Sequence, residues 1–134
     1  LPLLLTQLVC CVSRSHPLAG RKSVNMSELA DEPMILMKSG SYQNQLLMKN
    51  FRELGISPKV LMRTEQLYTI QQYITHQYAI GFVLKEAAEL SEDMVGIPLD
   101  PPIPISVNLI WDSNKYLHNS AVQFIQFARS YKPQ

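Results

Sequence analysis

Two rhythms alternate along the chain. Short unbroken apolar runs, as expected of strands buried on both faces, give way to stretches whose apolar residues recur every three or four positions, as in helices packed by one face. The run Met34–Met37 stops at Lys38, crosses Ser39-Gly40-Ser41, and resumes with Leu47, Phe51 and Leu54 at i, i+4 and i+7, after which Gly55 stops the helix. This reads as strand, tight loop and helix. Val60–Arg63, then Thr64 and Glu65, then Leu67, Ile70 and Ile74 repeat the design. Ala79–Leu84 is apolar without alternation and predicts a third buried strand, followed by a charged segment, Lys85–Asp93, that predicts a short surface helix or loop.

The flanks follow the same logic. Leu8–Val12 predicts a buried strand ending at the polar break S-R-S-H-P-L-A-G-R-K-S. Asn25 and Glu28 have capping-box spacing and predict a short helix over Ser27–Asp31, ended by Pro33. Four prolines between Pro98 and Pro104 reject both a helix and a central strand, so an extended connection between two lobes is expected there. Ile105–Trp111 alternates like a strand with unequal faces. The last helix is expected from about Leu117 to Arg129, with Ala121, Phe124, Ile125 and Ala128 on one stripe, and residues 131–134 form a tail.

Composition narrows the classes. With 134 residues, 46% of them hydrophobic and 17% charged, the chain can bury one substantial core. A net charge of +1, with the cations scattered, gives no electrostatic footprint for nucleic acid. Cys10 and Cys11 are neighbours whose side chains point to opposite faces of a strand, poorly placed to bridge each other; they read as small buried hydrophobes. No Cys-x-x-Cys spacing or Cys/His cluster supports a metal site, and no cofactor is implied. The apolar opening lacks a preceding basic segment and is too short to span a bilayer, so no membrane role is expected.

The chemistry concentrates at the loops that follow the strands. In an open α/β sheet the carboxyl ends of the strands face the ligand crevice. Ser39, Gly40 and Ser41 would bring backbone N–H groups and two hydroxyls there, at a helix N-terminus that favours an anion. Ser39 or Ser41 reads equally well as the cap of the helix that follows. Lys38 suits a carboxylate ligand or simple solvation, and Glu65 suits a ligand contact or the dipole of the next helix. His16, before Pro17, reads as a turn residue. No nucleophile, acid or base constellation surrounds it, so no catalytic residue and no enzyme are expected.

Six segments in order, S-H-P-L-A-G-R, S-E-L-A-D-E-P, the strand with its Ser-Gly-Ser loop, F-R-E-L-G-I-S-P, I-G-F-V-L and V-N-L-I-W-D, closely resemble the effector-binding domain of LysR-type transcriptional regulators from about Leu8 to Tyr131. The resemblance implies an α/β fold like the type 2 periplasmic binding proteins, with one lobe complete plus the returning strand and helix of the other. Residues 1–12 would be a crossover strand from the first lobe, 13–96 the second effector-binding lobe, and 97–134 the crossover and C-terminal part of the first. It implies a small-molecule effector, such as a carboxylate, held in the cleft between lobes. Lys38, Ser39, Gly40 and Ser41 match the family's contact loop, and Thr64 and Glu65 join them by position.

The same resemblance implies a cytoplasmic, dimerising sensor that meets DNA only through an N-terminal helix-turn-helix, which the chain looks to lack. On that reading it is the C-terminal part of such a protein, and Ile105–Trp111 with the final helix would expose an apolar patch that drives association. A solute-binding protein of the same bilobal fold is the alternative. Two departures from the family stand out. Where the family reads A-G-L-G-I, this chain has His76, Gln77, Tyr78, Ala79 and Ile80, so Gln77 would have to accept a positive φ or the turn be rebuilt. Leu84 replaces a family proline.

Overall fold

A computed structural model describes residues 1–131; of the expected tail, residues 132–134 lie outside it. The elements are β1 (Pro2–Ser13), a 3₁₀ turn (Met26–Leu29), β2 (Pro33–Met37), α1 (Tyr42–Glu53), β3 (Lys59–Thr64), α2 (Leu67–Thr75), β4 (Ile80–Leu84), α3 (Lys85–Glu89), β5 (Met94–Asn108) and α4 (Asn119–Ser130). One five-stranded sheet has the order β3-β2-β4-β1-β5. β2 runs parallel to β3 and to β4, whereas β1 is antiparallel to β4, with Cys10 opposite Phe82 and Cys11 opposite Gly81.

The chain forms two compact units. The larger is Gln7–Ile103; the smaller comprises Leu1–Thr6 and the chain from Pro104 onward. In the larger unit strand alternation decides which side chain meets which helix. Val9, Cys11, Ile35 and Val83 share a core with Ile70 and Ile74 of α2 and Ala88 of α3. On the other face Phe51 of α1 meets Phe82 edge-on, with ring centroids 6.2 Å apart. Gly81 sits under α2 because a Cβ there would lie 2.9 Å from Ile74 Cδ1 and 3.2 Å from Ile70 Cγ2. Both cysteines are free and fully buried. Burial pushes the Cys11 thiol up to about 12, against a smaller lowering by a backbone hydrogen bond from Val83, and raises that of Cys10 further.

The helix ends follow from short-range chemistry. Asn25 and Glu28 form the expected capping box, and the box, reinforced by Arg21, holds the Glu28 carboxyl below its usual range. α1 ends in a Schellman cap: Ile56 N–H donates to Phe51 O at 2.9 Å and Gly55 N–H to Arg52 O at 3.0 Å, with Gly55 at φ 70°. α2 ends the same way, Tyr78 N–H to Tyr73 O at 2.9 Å and Gln77 N–H to Ile74 O at 3.0 Å, but here Gln77 carries the positive φ, 62°. The turn is kept, with a non-glycine residue taking the positive φ. His16 is a turn residue, accepting from Leu18 N–H on Nδ1 at 3.0 Å.

Two expectations, the start of the first strand and the end of the returning one, need correction. β1 begins at Pro2, six residues before the strand expected at Leu8. The expected extended connection holds, as the proline run forms part of an edge strand, β5, continuous from Met94 to Asn108. Prolines fit there because β5 is an edge strand, and the outward-facing carbonyl of Pro98 accepts from Val24 N–H at 2.9 Å, where no N–H of Pro98 is needed. The returning strand therefore ends at Asn108, and Leu109–Trp111, expected to continue it, are irregular, with Ile110 exposed.

In the smaller unit α4 buries only Ala128. Phe124 and Phe127 of its apolar stripe are more than half exposed. With Leu3, Leu4, Ala128 and Tyr131 they line an apolar groove of about 320 Å³.

Candidate functional site

Parallel pairing of β2 with β3 sets Met37 opposite Thr64, so the loops that leave the two strands emerge side by side at one sheet edge. Five of the six candidate residues lie on these loops, and the sixth, Thr64, ends β3. The switch in winding falls at β2: the chain leaves it outward to β3 through α1, then returns across it to β4 through α2. Crevices in α/β sheets form at such a point.

The loop is shaped by its own hydrogen bonds. Ser41 N–H donates to Lys38 O at 3.1 Å, closing a turn around Ser39 and Gly40. Ser41 caps α1, its Oγ accepting from Asn44 N–H at 3.1 Å. The hydroxyl proton of Ser41 stays available to a ligand, so the capping reading and the contact reading are compatible. Ser39 and Gly40 are exposed. Their amides and the first amides of α1 are the donors that this edge offers an anion.

Two residues that sequence reasoning passed over hold the loop in place. Asn44 is buried on the inner side of α1, its Nδ2 3.5 Å from the carbonyl of Ser39. Arg63 on β3 donates through Nη1 to the Met37 carbonyl at 3.1 Å and to Asn44 Oδ1 at 2.8 Å. The carbonyls are thereby drawn inward and away from the exposed edge. A signal existed for Asn44: it falls on the same stripe as Leu47 and Phe51, where a polar residue is out of place unless partnered. Arg63 had none, because one arginine near a strand end reads as solvated.

Lys38 Nζ and Glu65 Oε2 stand 3.9 Å apart across the loops, with both side chains about two-thirds exposed. Such a pair is worth about 0–1 kcal/mol, weak enough for an incoming carboxylate to displace Glu65. Thr64 accepts from Gln66 N–H at 3.1 Å on Oγ1, which orders the entry to α2. Among the described residues no three His, Cys, Asp or Glu side chains come together in a metal-binding group. No described helix is long and apolar enough to cross a membrane.

Known proteins share this fold. An HTH-type transcriptional regulator of Bacillus subtilis (strain 168), YwbI, itself uncharacterised, is 29% identical over 127 residues; the match covers 92% of this chain but 42% of the regulator. The C-terminal domain of a probable LysR family transcriptional regulator from Rhodococcus sp. RHA1 shares the fold with a TM-score of 0.83 at 23% identity, covering 97% of this chain and 66% of that one. The effector binding domain of QuiR, solved in complex with shikimate, gives a TM-score of 0.79 at 23% identity, covering 96% and 62%. The LysR substrate binding domain family matches residues 1–132, nearly the whole chain, and the chain belongs to that family.

Proposed function

We propose that this chain is the ligand-sensing part of a LysR-type transcriptional regulator and that its effector is a small carboxylate received at the β2 and β3 loops. The observation that carries the reading is the loop itself: carbonyls drawn inward by Asn44 and Arg63, amides at an exposed helix N-terminus, and Lys38 beside them. Lys38, Ser39, Gly40, Ser41, Thr64 and Glu65 are the proposed contacts. Shikimate, which QuiR binds, is itself a carboxylate. The site is a binding site rather than a catalytic one. DNA contact would belong to a helix-turn-helix region of the regulator, since the chain spans 42% of YwbI, and a cytoplasmic location follows from that role.

The same reading includes self-association. The groove of Leu3, Leu4, Phe124, Phe127, Ala128 and Tyr131 supports it, because an exposed aromatic groove favours a partner surface over water.

The test is thermal denaturation with shikimate and a panel of aliphatic and aromatic carboxylates. A compound that binds only the folded state adds about 2.7 kcal/mol at a hundredfold excess over its Kd. Stabilisation that is lost in Lys38→Ala supports the assignment. Unchanged affinity in that variant removes it.

A further inference from the structure

We propose a second ligand site in the larger unit, separate from the loops after β2 and β3, for a small monocarboxylate with an apolar body. It is a cavity of about 320 Å³ beside α3, between the end of β1 and the start of β5. Its floor is apolar and firmly packed: Val9, Ala88 and Met94 are each at most 5% exposed. Its rim is charged, with Arg14, Lys85 and Glu89.

The rim selects the ligand. Arg14 donates through Nε to the carbonyl of Glu92, and its terminal nitrogens form the fork that suits a carboxylate. Arg14 and Lys85 are both exposed at this rim. Of the charged side chains that line the cavity two are cations and one, Glu89, is a carboxylate, which suits a ligand with one carboxylate rather than two. An apolar tail then covers the floor and is withdrawn from water there. The site touches β1 through Val9 and β5 through Met94, the two strands whose far ends belong to the smaller unit.

The experiment is a titration of the ¹⁵N-labelled chain with hexanoate, followed by amide chemical shifts, with glutarate as the dicarboxylate control. Saturable shifts at Ser91 and Gly96, with Ser39, Gly40 and Ser41 unmoved, are expected, and glutarate is expected to bind more weakly. Arg14→Gln with Lys85→Gln, both on exposed side chains, should weaken hexanoate about tenfold or more, the equivalent of losing one charge-assisted hydrogen bond. Shifts that fail to saturate, that gather at Ser39–Ser41, or that persist at equal affinity in the double variant would overturn the proposal. Loss of binding at the β2 and β3 loops leaves these shifts untouched, so the two sites are judged separately.

Discussion

Arg63 Nη1 lies 2.8 Å from Oδ1 of Asn44, a charge-assisted hydrogen bond that ties β3 to α1 beneath the candidate loop. Asn44 is buried, so removing either partner strands a polar group. Asn44→Ala and Arg63→Ala should each destabilise the fold by about 1–3 kcal/mol in urea denaturation. The double variant should lose less than the sum, because the second substitution removes a group that the first had already left unpartnered. Full additivity would show that the two residues act independently.

Ser41 and Ser39 separate capping from ligand contact. Ser41→Ala removes the acceptor for Asn44 N–H and should cost about 0.5–2 kcal/mol, whereas Ser41→Gly should cost only a few tenths. Ser39→Ala, on an exposed side chain, should leave the urea midpoint unchanged while weakening carboxylate binding. If Ser39→Ala leaves binding intact as well, the Ser39 hydroxyl takes no part in the site.

Periodicity carried the larger unit well, because β2 and β4 are buried on both faces and α1 and α2 on one, although β3 is largely exposed. Leu47, Phe51, Ile70 and Ile74 sit where their spacing put them, and the Ser-Gly-Ser loop leaves β2 as the sequence implied. What stayed hidden was long-range. Nothing local tells that Arg63 reaches back to Met37 O and Asn44, since the partners are 26 and 19 residues away. The proline run rejected a central strand and left an edge strand open, and which of the extended forms it takes depends on the strand's place in the sheet.

The buried thiols set an alkaline limit on stability. A thiol ionises near 9 in the unfolded chain, but burial raises Cys11 to about 12 and Cys10 above it. The contribution is complete below pH 9. Above it the unfolded chain loses protons that the folded chain keeps, so stability should fall by about 1.4 kcal/mol per pH unit per cysteine until the folded value is reached. The decline in urea midpoint between pH 9 and 10 should be shallower in a Cys10→Ala, Cys11→Ala variant. Equal slopes in the two proteins would mean that other groups govern the decline.

The exposed groove of the smaller unit predicts concentration-dependent association. Phe124→Ser with Phe127→Ser removes two aromatic side chains that are more than half exposed, so the fold should lose little. Sedimentation velocity should show the parent chain shifting to a larger species with concentration and the variant remaining monomeric. A parent chain that stays monomeric throughout would exclude the groove as an association surface.

Gln77 offers the sharpest test of local strain against tertiary contact. At φ 62° it occupies the position of a helix cap that favours glycine, at a backbone cost of about 1–2 kcal/mol. Its side chain offsets part of this by donating from Nε2 to Ser15 Oγ at 2.6 Å, joining the end of α2 to the turn after β1. An exposed neutral hydrogen bond contributes about 0.5–1.5 kcal/mol, so the two effects nearly cancel and Gln77→Gly alone should change stability little. Ser15→Ala removes the offset. In that background Gln77→Gly should stabilise by about 1 kcal/mol, and Gln77→Val, β-branched and without a partner, should destabilise in either background. Equal effects of Gln77→Gly with and without Ser15 would show that the Gln77–Ser15 hydrogen bond does not hold this turn.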